Sequence, residues 1–342
     1  MSHDFAINLH LGATFRTFLY SQLFITPAYP THSFAGQTVI VTGSNVGLGL
    51  EAARHIYRLD AAKLILAVRT VSKGEAAKED IIRTVKHRPD GAEAIEVWPL
   101  DLTSTESTLS FADKAKSLPR LDVVAENAGI SIFKWKMTEG FEETIQVNVI
   151  NTFLLALSLL PKLRETKQNF PDAIPRLEIV TSELHHITRG KELNAPDVYA
   201  KLNDKESYDA LDRYNISKLL EVLFVRELAS RLGSDEPVII TLVNPGLCRS
   251  EIIREAPTLL SVIFRGIVLF IGRTTEIGSR TLVHGACAGT ESHGQYMADG
   301  KCQDVEAWIY TDIGKKAQVK VFEQTLKVLE ARKPGIRKLI GL

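Results

Sequence analysis

From Gln37 to Val243, short aliphatic and β-branched runs alternate with longer stretches in which apolar residues recur at helical spacing. The runs Thr38–Thr42, Lys63–Val68, Ala94–Pro99, Leu121–Ala125, Leu177–Thr181 and Pro237–Val243 predict strands. Leu50–Leu59, Lys73–Lys86, Ser104–Ser117, Phe141–Arg164 and Tyr214–Leu232 predict the helices between them. Strands that are apolar throughout, each followed by a helix, belong to a parallel sheet covered on both faces. The expectation is an α/β protein built on a Rossmann-type doubly wound parallel sheet. No repeat or Pro/Gly/Ser-rich linker divides the alternation, so a single domain is expected over residues 36–330, with a decorated C-terminal third. An extension, 1–35, precedes it and a basic tail, 331–342, follows.

In the extension, Leu11, Phe15, Phe18, Leu19 and Leu23 fall on one helical stripe that Pro27 and Pro30 end. This predicts a helix packed on the domain, with membrane docking or lining of a substrate pocket as the alternatives. The apolar run Leu259–Gly272 is broken by Arg265 and is shorter than the roughly 20 residues that span a bilayer. It reads as a substrate-covering or core helix, and less well as a membrane anchor. Residues 183–213 form a charged insertion between a strand and the next helix, where long connections are commonly functional.

Composition narrows the partners. The 342 residues are 45% hydrophobic with a formal net charge of zero, which suits a soluble globular protein and excludes a basic nucleic-acid-binding surface. Cys248, Cys287 and Cys302 are too scattered for a disulfide framework, and no Cys/His spacing suits zinc. His185 and His186 are adjacent, so on an extended segment they point apart, and no metal site is expected. Asp4 and two histidines stand where a secretory signal would be basic, which points to the cytoplasm.

The chemistry begins at Thr42-Gly43-Ser44-Asn45-Val46-Gly47-Leu48-Gly49, between the first strand and the first helix. Glycine there allows positive φ and close approach of a phosphate, and the helix N-terminus attracts the charge of a pyrophosphate. In this βαβ context the loop predicts a dinucleotide site. The second strand ends in Val68-Arg69-Thr70, with Lys73 close behind, where an NAD site would carry Asp or Glu. An arginine at that point favours the 2′-phosphate of NADP(H) over NAD(H). Tyr214 and Lys218 lie four apart on one helical face. Unperturbed they titrate near ~10 and ~10.4, so a neighbouring ammonium is needed to prepare the phenol for proton transfer at neutral pH.

Taken in order, Thr42 to Gly49, Asn127-Ala128-Gly129, Asn148, Ser182, Tyr214/Lys218 and Asn244-Pro245-Gly246 resemble the pattern of the short-chain dehydrogenase/reductase family over roughly residues 36–310. The resemblance implies that Tyr214 is the general acid/base and that Ser182 polarises the reacting carbonyl oxygen. It implies that Lys218 holds the ribose and tunes the tyrosine, and that Asn148 fixes a water for proton resupply. It further implies that Asp101, followed by Leu102, meets the adenine, that Asn127–Gly129 support the adenosine, and that Pro245, Gly246 and Ser250 line the nicotinamide side. For Asp101 a helix N-cap is the competing reading.

Two departures stand out. Glu126 occupies a position where the family often has asparagine, and thirty-one residues separate Ser182 from Tyr214 where many members have about a dozen. The long insertion resembles the retinol-dehydrogenase-like branch and fungal secondary-metabolism members, which implies a hydrophobic or aromatic carbonyl/alcohol substrate, with polyketide-type metabolites preferred and retinoids or steroids as the alternative. The pocket walls are expected from 183–213, Lys134–Met137 with Trp135, and 250–275 with Ile252, Leu259, Leu260, Val262 and Phe264. A non-catalytic NADP(H) sensor is the competing class, disfavoured because Tyr214, Lys218, Ser182 and Asn148 are all present. NADP(H) implies reduction as the working direction, and the resemblance allows a homodimer through the helices Phe141–Arg164 and Tyr214–Leu232.

Overall fold

The computed structural model describes residues 5, 7, 9–88, 90–250 and 266–342. The apolar runs become strands β1 (Thr38–Thr42), β2 (Lys63–Val68), β3 (Ile95–Pro99), β4 (Val123–Glu126), β5 (Met137–Thr138), β6 (Phe141–Glu142), β7 (Arg176–Val180), β8 (Ile239–Asn244), β9 (Tyr296–Ala298) and β10 (Lys301–Gln303). β5 and β6 make a separate hairpin; the other eight form one sheet in the order β10-β9-β8-β7-β4-β1-β2-β3. All pairings in it are parallel except β9 with β10. The expected doubly wound parallel sheet is thus present.

Alternation along each strand builds two cores, because successive side chains point to opposite faces. Val39, Val41, Leu64, Leu66, Val123 and Ala125 meet the helices Gly47–Arg58, Val71–Thr84 and Thr275–Ala286 on one face. Ile40, Ile65, Val124, Leu177 and Ile179 meet Thr105–Lys116, Thr152–Asn169, Arg213–Leu232 and Asp312–Arg332 on the other. There Phe224 stacks between Phe153, at 4.0 Å between ring centroids, and Phe322, at 5.1 Å. The strand order reverses between β1 and β4, and that switch point opens a crevice at the C-terminal ends of the strands.

Several expectations are corrected. Phe141–Arg164 is not one continuous α-helix. Phe141 and Glu142 belong to the β5–β6 hairpin, Glu143–Ile145 turn into a π-helical segment Gln146–Asn151, and only Thr152–Asn169 is regular. The wide turn is tied down by Asn148, whose side chain both accepts from the Ile130 N–H and donates to its carbonyl, each at 2.9 Å. The stretch Glu143–Asn169 is long and apolar enough to cross a membrane, but 94% of its most apolar window is buried inside the protein, as in a core helix.

The N-terminal helix forms at Leu11–Phe24, yet none of its residues is fully buried, and Leu11, Phe15 and Leu23 are exposed. Phe5, Ile7 and Leu9, ahead of it, make the apolar contact with the core. The helix itself is held by polar groups. Gln22 donates to the carbonyls of Leu247 and Ile271 and accepts from the Leu247 N–H. Ser21 bonds Asp299, which pairs with Arg273 at 2.6 Å.

The insertion is only partly a site loop. Leu193, Val198, Tyr199 and Leu202 are buried in the main core, and Tyr199 Oη lies 2.5 Å from Thr325 Oγ1 on the helix Asp312–Arg332. Residues 331–342, read as a basic tail, end in a short helix Ile336–Ile340 whose two isoleucines are buried. The apolar run Leu259–Gly272 lies outside the described residues up to 265, as do Ile252, Leu259, Leu260, Val262 and Phe264.

Candidate active site

The glycine loop lies at the C-terminal end of β1, as its sequence requires, and Gly43 and Gly47 both take φ of +65°. The helix starts at Gly47, earlier than the expected Leu50, so Gly47, Leu48 and Gly49 form its first turn. A Cβ at Gly47 would meet nothing within 4 Å, so the helix N-terminus opens onto free space. Gly49 is the opposite case: its Cα faces Asn127 and the Gly43 carbonyl so closely that a Cβ would lie 2.5 Å from each. Asn127 donates to the Thr42 carbonyl at 2.9 Å and the Ala128 N–H to the Thr42 hydroxyl at 2.9 Å, which locks the Asn127–Gly129 turn to the loop. Such an open cradle of backbone at a helix N-terminus fits a dinucleotide pyrophosphate.

Not every loop residue is available. Ser44 is fully buried and its hydroxyl turns inward to the Val41 carbonyl. Asn45 is half-buried and Val46 exposed, while Leu48 packs on the second core. Arg69 and Lys73 stand exposed just beyond the end of β2. Asp101 accepts from the N–H and hydroxyl of Thr103, making a local turn, and the helix N-cap is Ser104. Leu102 points into the main core and presents only backbone, its carbonyl accepting from Asn151. Gly246, at φ +76°, sits against Gln22 and Arg273; Ser250 closes the described part of that segment, its N–H donating to the Cys248 carbonyl.

The four expected catalytic residues converge at the switch point. Asn148 donates to Ser217 Oγ at 3.1 Å, and a Cβ on Gly129 would be 3.4 Å from Asn148 Oδ1 and 3.9 Å from Lys218 Nζ. Lys218 Nζ lies 5.5 Å from the Tyr214 ring centroid. Ser182 ends the strand run and caps a short 3-10 turn, its hydroxyl accepting from the Leu184 N–H while acting on the Tyr214 phenol. The sign of the lysine's effect is as expected, but the net result differs: burial, with Glu221 and Glu183, raises Tyr214 above the ordinary phenol range against the pull of Lys218 and Ser182. Burial opposes the charge on Lys218, and Glu221 and Tyr214 more than offset it.

Residues missed from the sequence surround this cluster. Glu221 pairs with Lys218 at 2.7 Å, and its place three residues further along the helix was a readable signal. Glu183, beside Ser182, is pushed up to about 7 by burial. Gln22 and Arg273 brace the Pro245–Leu247 turn from distant parts of the chain, and no local pattern announces them. His185 and His186 do not point apart as an extended segment would have them: in the 3-10 turn Glu183–His186 their rings stack at 3.9 Å, and His186 bonds Glu306; among the described residues no group of side chains could hold a metal ion.

A doubly wound sheet with a glycine-rich first turn and a Tyr/Lys/Ser/Asn cluster at its switch point is the frame of a nicotinamide-dependent oxidoreductase. Residues 37–169 match the short chain dehydrogenase family. The chain is 45% identical over 325 residues to the short chain dehydrogenase/reductase dmxR8 of Cryptosporiopsis sp., covering 93% of this chain and 98% of that one. It is 44% identical over 284 residues to the short chain dehydrogenase atnD of Emericella nidulans, covering 82% and 89%. This chain therefore belongs to the short-chain dehydrogenase/reductase family and is an oxidoreductase. Among solved structures it superposes on a Mycobacterium paratuberculosis protein with TM-score 0.60 and 27% identity, over 91% of this chain and 95% of that one. A Shigella flexneri short chain dehydrogenase complexed with NADP shares the fold at TM-score 0.55 and 19% identity, over 80% and 100%.

Proposed function

We propose that the protein interconverts a ketone or aldehyde and an alcohol on a hydrophobic or aromatic small molecule of the polyketide-type secondary-metabolite class, using NADP(H). The observation that carries this reading is the meeting of Tyr214, Lys218, Ser182 and Asn148 beside the open glycine loop. Bound NADPH supplies the hydride. Gly43, Gly47 and Gly49 shape the backbone that receives its pyrophosphate, and Arg69 with Lys73 offers cationic partners for the 2′-phosphate. Ser182 orients the carbonyl oxygen, Tyr214 gives it a proton, and Lys218 returns charge and proton to the tyrosine. Asn148, fixed between Ile130 and Ser217, holds the proton path at Lys218 in place. Trp135 and Tyr208, packed edge to face at 5.3 Å, would suit an aromatic substrate.

The test is a fluorescence titration of NADPH and NADH into wild type and Arg69→Ala. Loss of a charge-assisted bond to a phosphate costs about 1.5–3 kcal/mol, so the mutant should bind NADPH roughly 10- to 100-fold more weakly with NADH unchanged. Reduction of an aromatic ketone such as 1-tetralone should then vanish in Tyr214→Phe. Equal affinity for both cofactors, unchanged in the mutant, would overturn the NADP(H) assignment; a fully active Tyr214→Phe would overturn the acid/base role.

A further inference from the structure

Beneath Tyr214 and Lys218 lie two carboxyl groups that the proposed chemistry leaves unused. Glu221 follows Lys218 by one helical turn, both are buried, and the carboxylate lies 2.7 Å from Nζ. Glu126 is the last residue of β4, 2% exposed, and neither of its oxygens has a hydrogen-bond partner among the described residues; the second oxygen of Glu221 has none either. Glu221 acts electrostatically on Glu126. Ionising two buried, neighbouring carboxyls beside a single ammonium is disfavoured. Burial pushes Glu221 up to about 7 against the pull of Lys218 and Thr181. Glu126, with no partner on either oxygen among the described residues, is raised well above the ordinary carboxyl range. Glu221 is therefore the one that ionises as the pH rises, and Glu126 is the neutral acid.

The donors of Lys218 fix where the ammonium points. An ammonium has three N–H donors. One goes to the Val180 carbonyl at 3.0 Å and one to Glu221, which leaves a single N–H for the Tyr214 side. Among the described residues no other cation compensates the pair: Thr181 and the Val180 carbonyl come from the end of β7, Asn148 and Gly129 face the ammonium from the π turn and the β4 loop, and Ser182 and Glu183 face the phenol. Resting on the reading of Tyr214 and Lys218 given above, we infer that Glu221 is a positioning residue that keeps the Lys218 ammonium charged and aimed at the tyrosine side of the site.

Glu221→Gln preserves the shape and an accepting oxygen but removes the charge. The experiment measures NADPH affinity by fluorescence, and 1-tetralone reduction, from neutral pH upward in wild type, Glu221→Gln, Glu126→Gln and Lys218→Met. In Glu221→Gln the pH at which NADPH affinity and reduction fall should drop by about one unit, with kcat lowered more than KM is raised. Glu126→Gln should follow the wild-type profile, because a neutral acid is replaced by a neutral amide. Superimposable profiles for Glu221→Gln and wild type, with Lys218→Met defective, would overturn the role of Glu221 alone. A Glu126→Gln profile shifted as far as that of Glu221→Gln would overturn the division of charge. If Lys218→Met binds NADPH and turns over like wild type, the reading of the lysine itself falls, and the Glu221 inference falls with it.

Discussion

Helix propensity and packing make opposite predictions for Gly49→Ala, which makes it a sharp test of the cofactor loop. Gly12 and Gly49 both sit in helices, Leu11–Phe24 and Gly47–Arg58. On propensity alone, alanine at either position stabilises by about 1 kcal/mol. At Gly12 an added Cβ meets nothing within 4 Å, so the full gain is available. At Gly49 the Cβ would lie 2.5 Å from Asn127 Nδ2 and from the Gly43 carbonyl oxygen. The first is held by its bond to Thr42 and the second is backbone, so neither moves without shifting the loop. Overpacking of this kind costs about 3 kcal/mol at the upper end of its usual range, which leaves Gly49→Ala net destabilised by about 2 kcal/mol after the helical gain. In a chain of this length that lowers Tm by about 3 °C. Differential scanning fluorimetry of both variants gives the comparison, and a parallel NADPH titration reports whether the displaced loop loses the cofactor. A Gly49→Ala protein as stable as Gly12→Ala, with unchanged NADPH affinity, would refute the close approach of the helix to the Asn127 turn.

Two further outcomes follow from buried charge. Glu178 is fully buried without a partner among the described residues, and burial raises it well above its ordinary 4.5. Below that value both states are protonated; above it the unfolded chain ionises while the folded one stays neutral, so stability falls by about 1.4 kcal/mol per pH unit. Glu178→Gln escapes this loss, so urea denaturation should show it equal to wild type near pH 4 and clearly more stable at pH 7; equal stability at both would count against a neutral Glu178. Arg273 is buried and binds Asp299 at 2.6 Å, Ser21 Oγ at 3.0 Å and the Ile25 carbonyl at 3.1 Å. Arg273→Ala strands a buried carboxylate and should cost about 3–5 kcal/mol in the same assay, whereas Ser21→Ala should cost about 1 kcal/mol; a similar small loss for both would show that the N-terminal helix is not anchored there.

What could be read from the chain depended on the range of the interaction. The strands were legible because a parallel strand buried on both faces is written in consecutive residues, as in Val39-Ile40-Val41. The glycine loop and the Tyr214/Lys218 pair were legible for the same reason, each being a motif within one turn or one helix. The π turn at Asn148 was not, since its cause is a bond to Ile130, and Phe141–Arg164 is apolar whichever hydrogen-bonding pattern it adopts. Ser44 and Leu102 carry family-like positions while their side chains turn into the core, which a motif cannot reveal. The insertion was misread in part because its charged composition hides Leu193, Val198, Tyr199 and Leu202, whose partner helix begins more than a hundred residues later. One signal was present and went unused. In a parallel sheet every strand delivers its C-terminal end to the same crevice, so a polar residue that closes an apolar run belongs to the site, not to solvent. Thr42, Glu126, Thr181 and Asn244 are all such residues, all buried at the C-terminal ends of neighbouring strands. Glu126 looks like an ordinary surface carboxylate after Val123-Val124-Ala125, and only the convergence of strand ends buries it within electrostatic reach of Glu221.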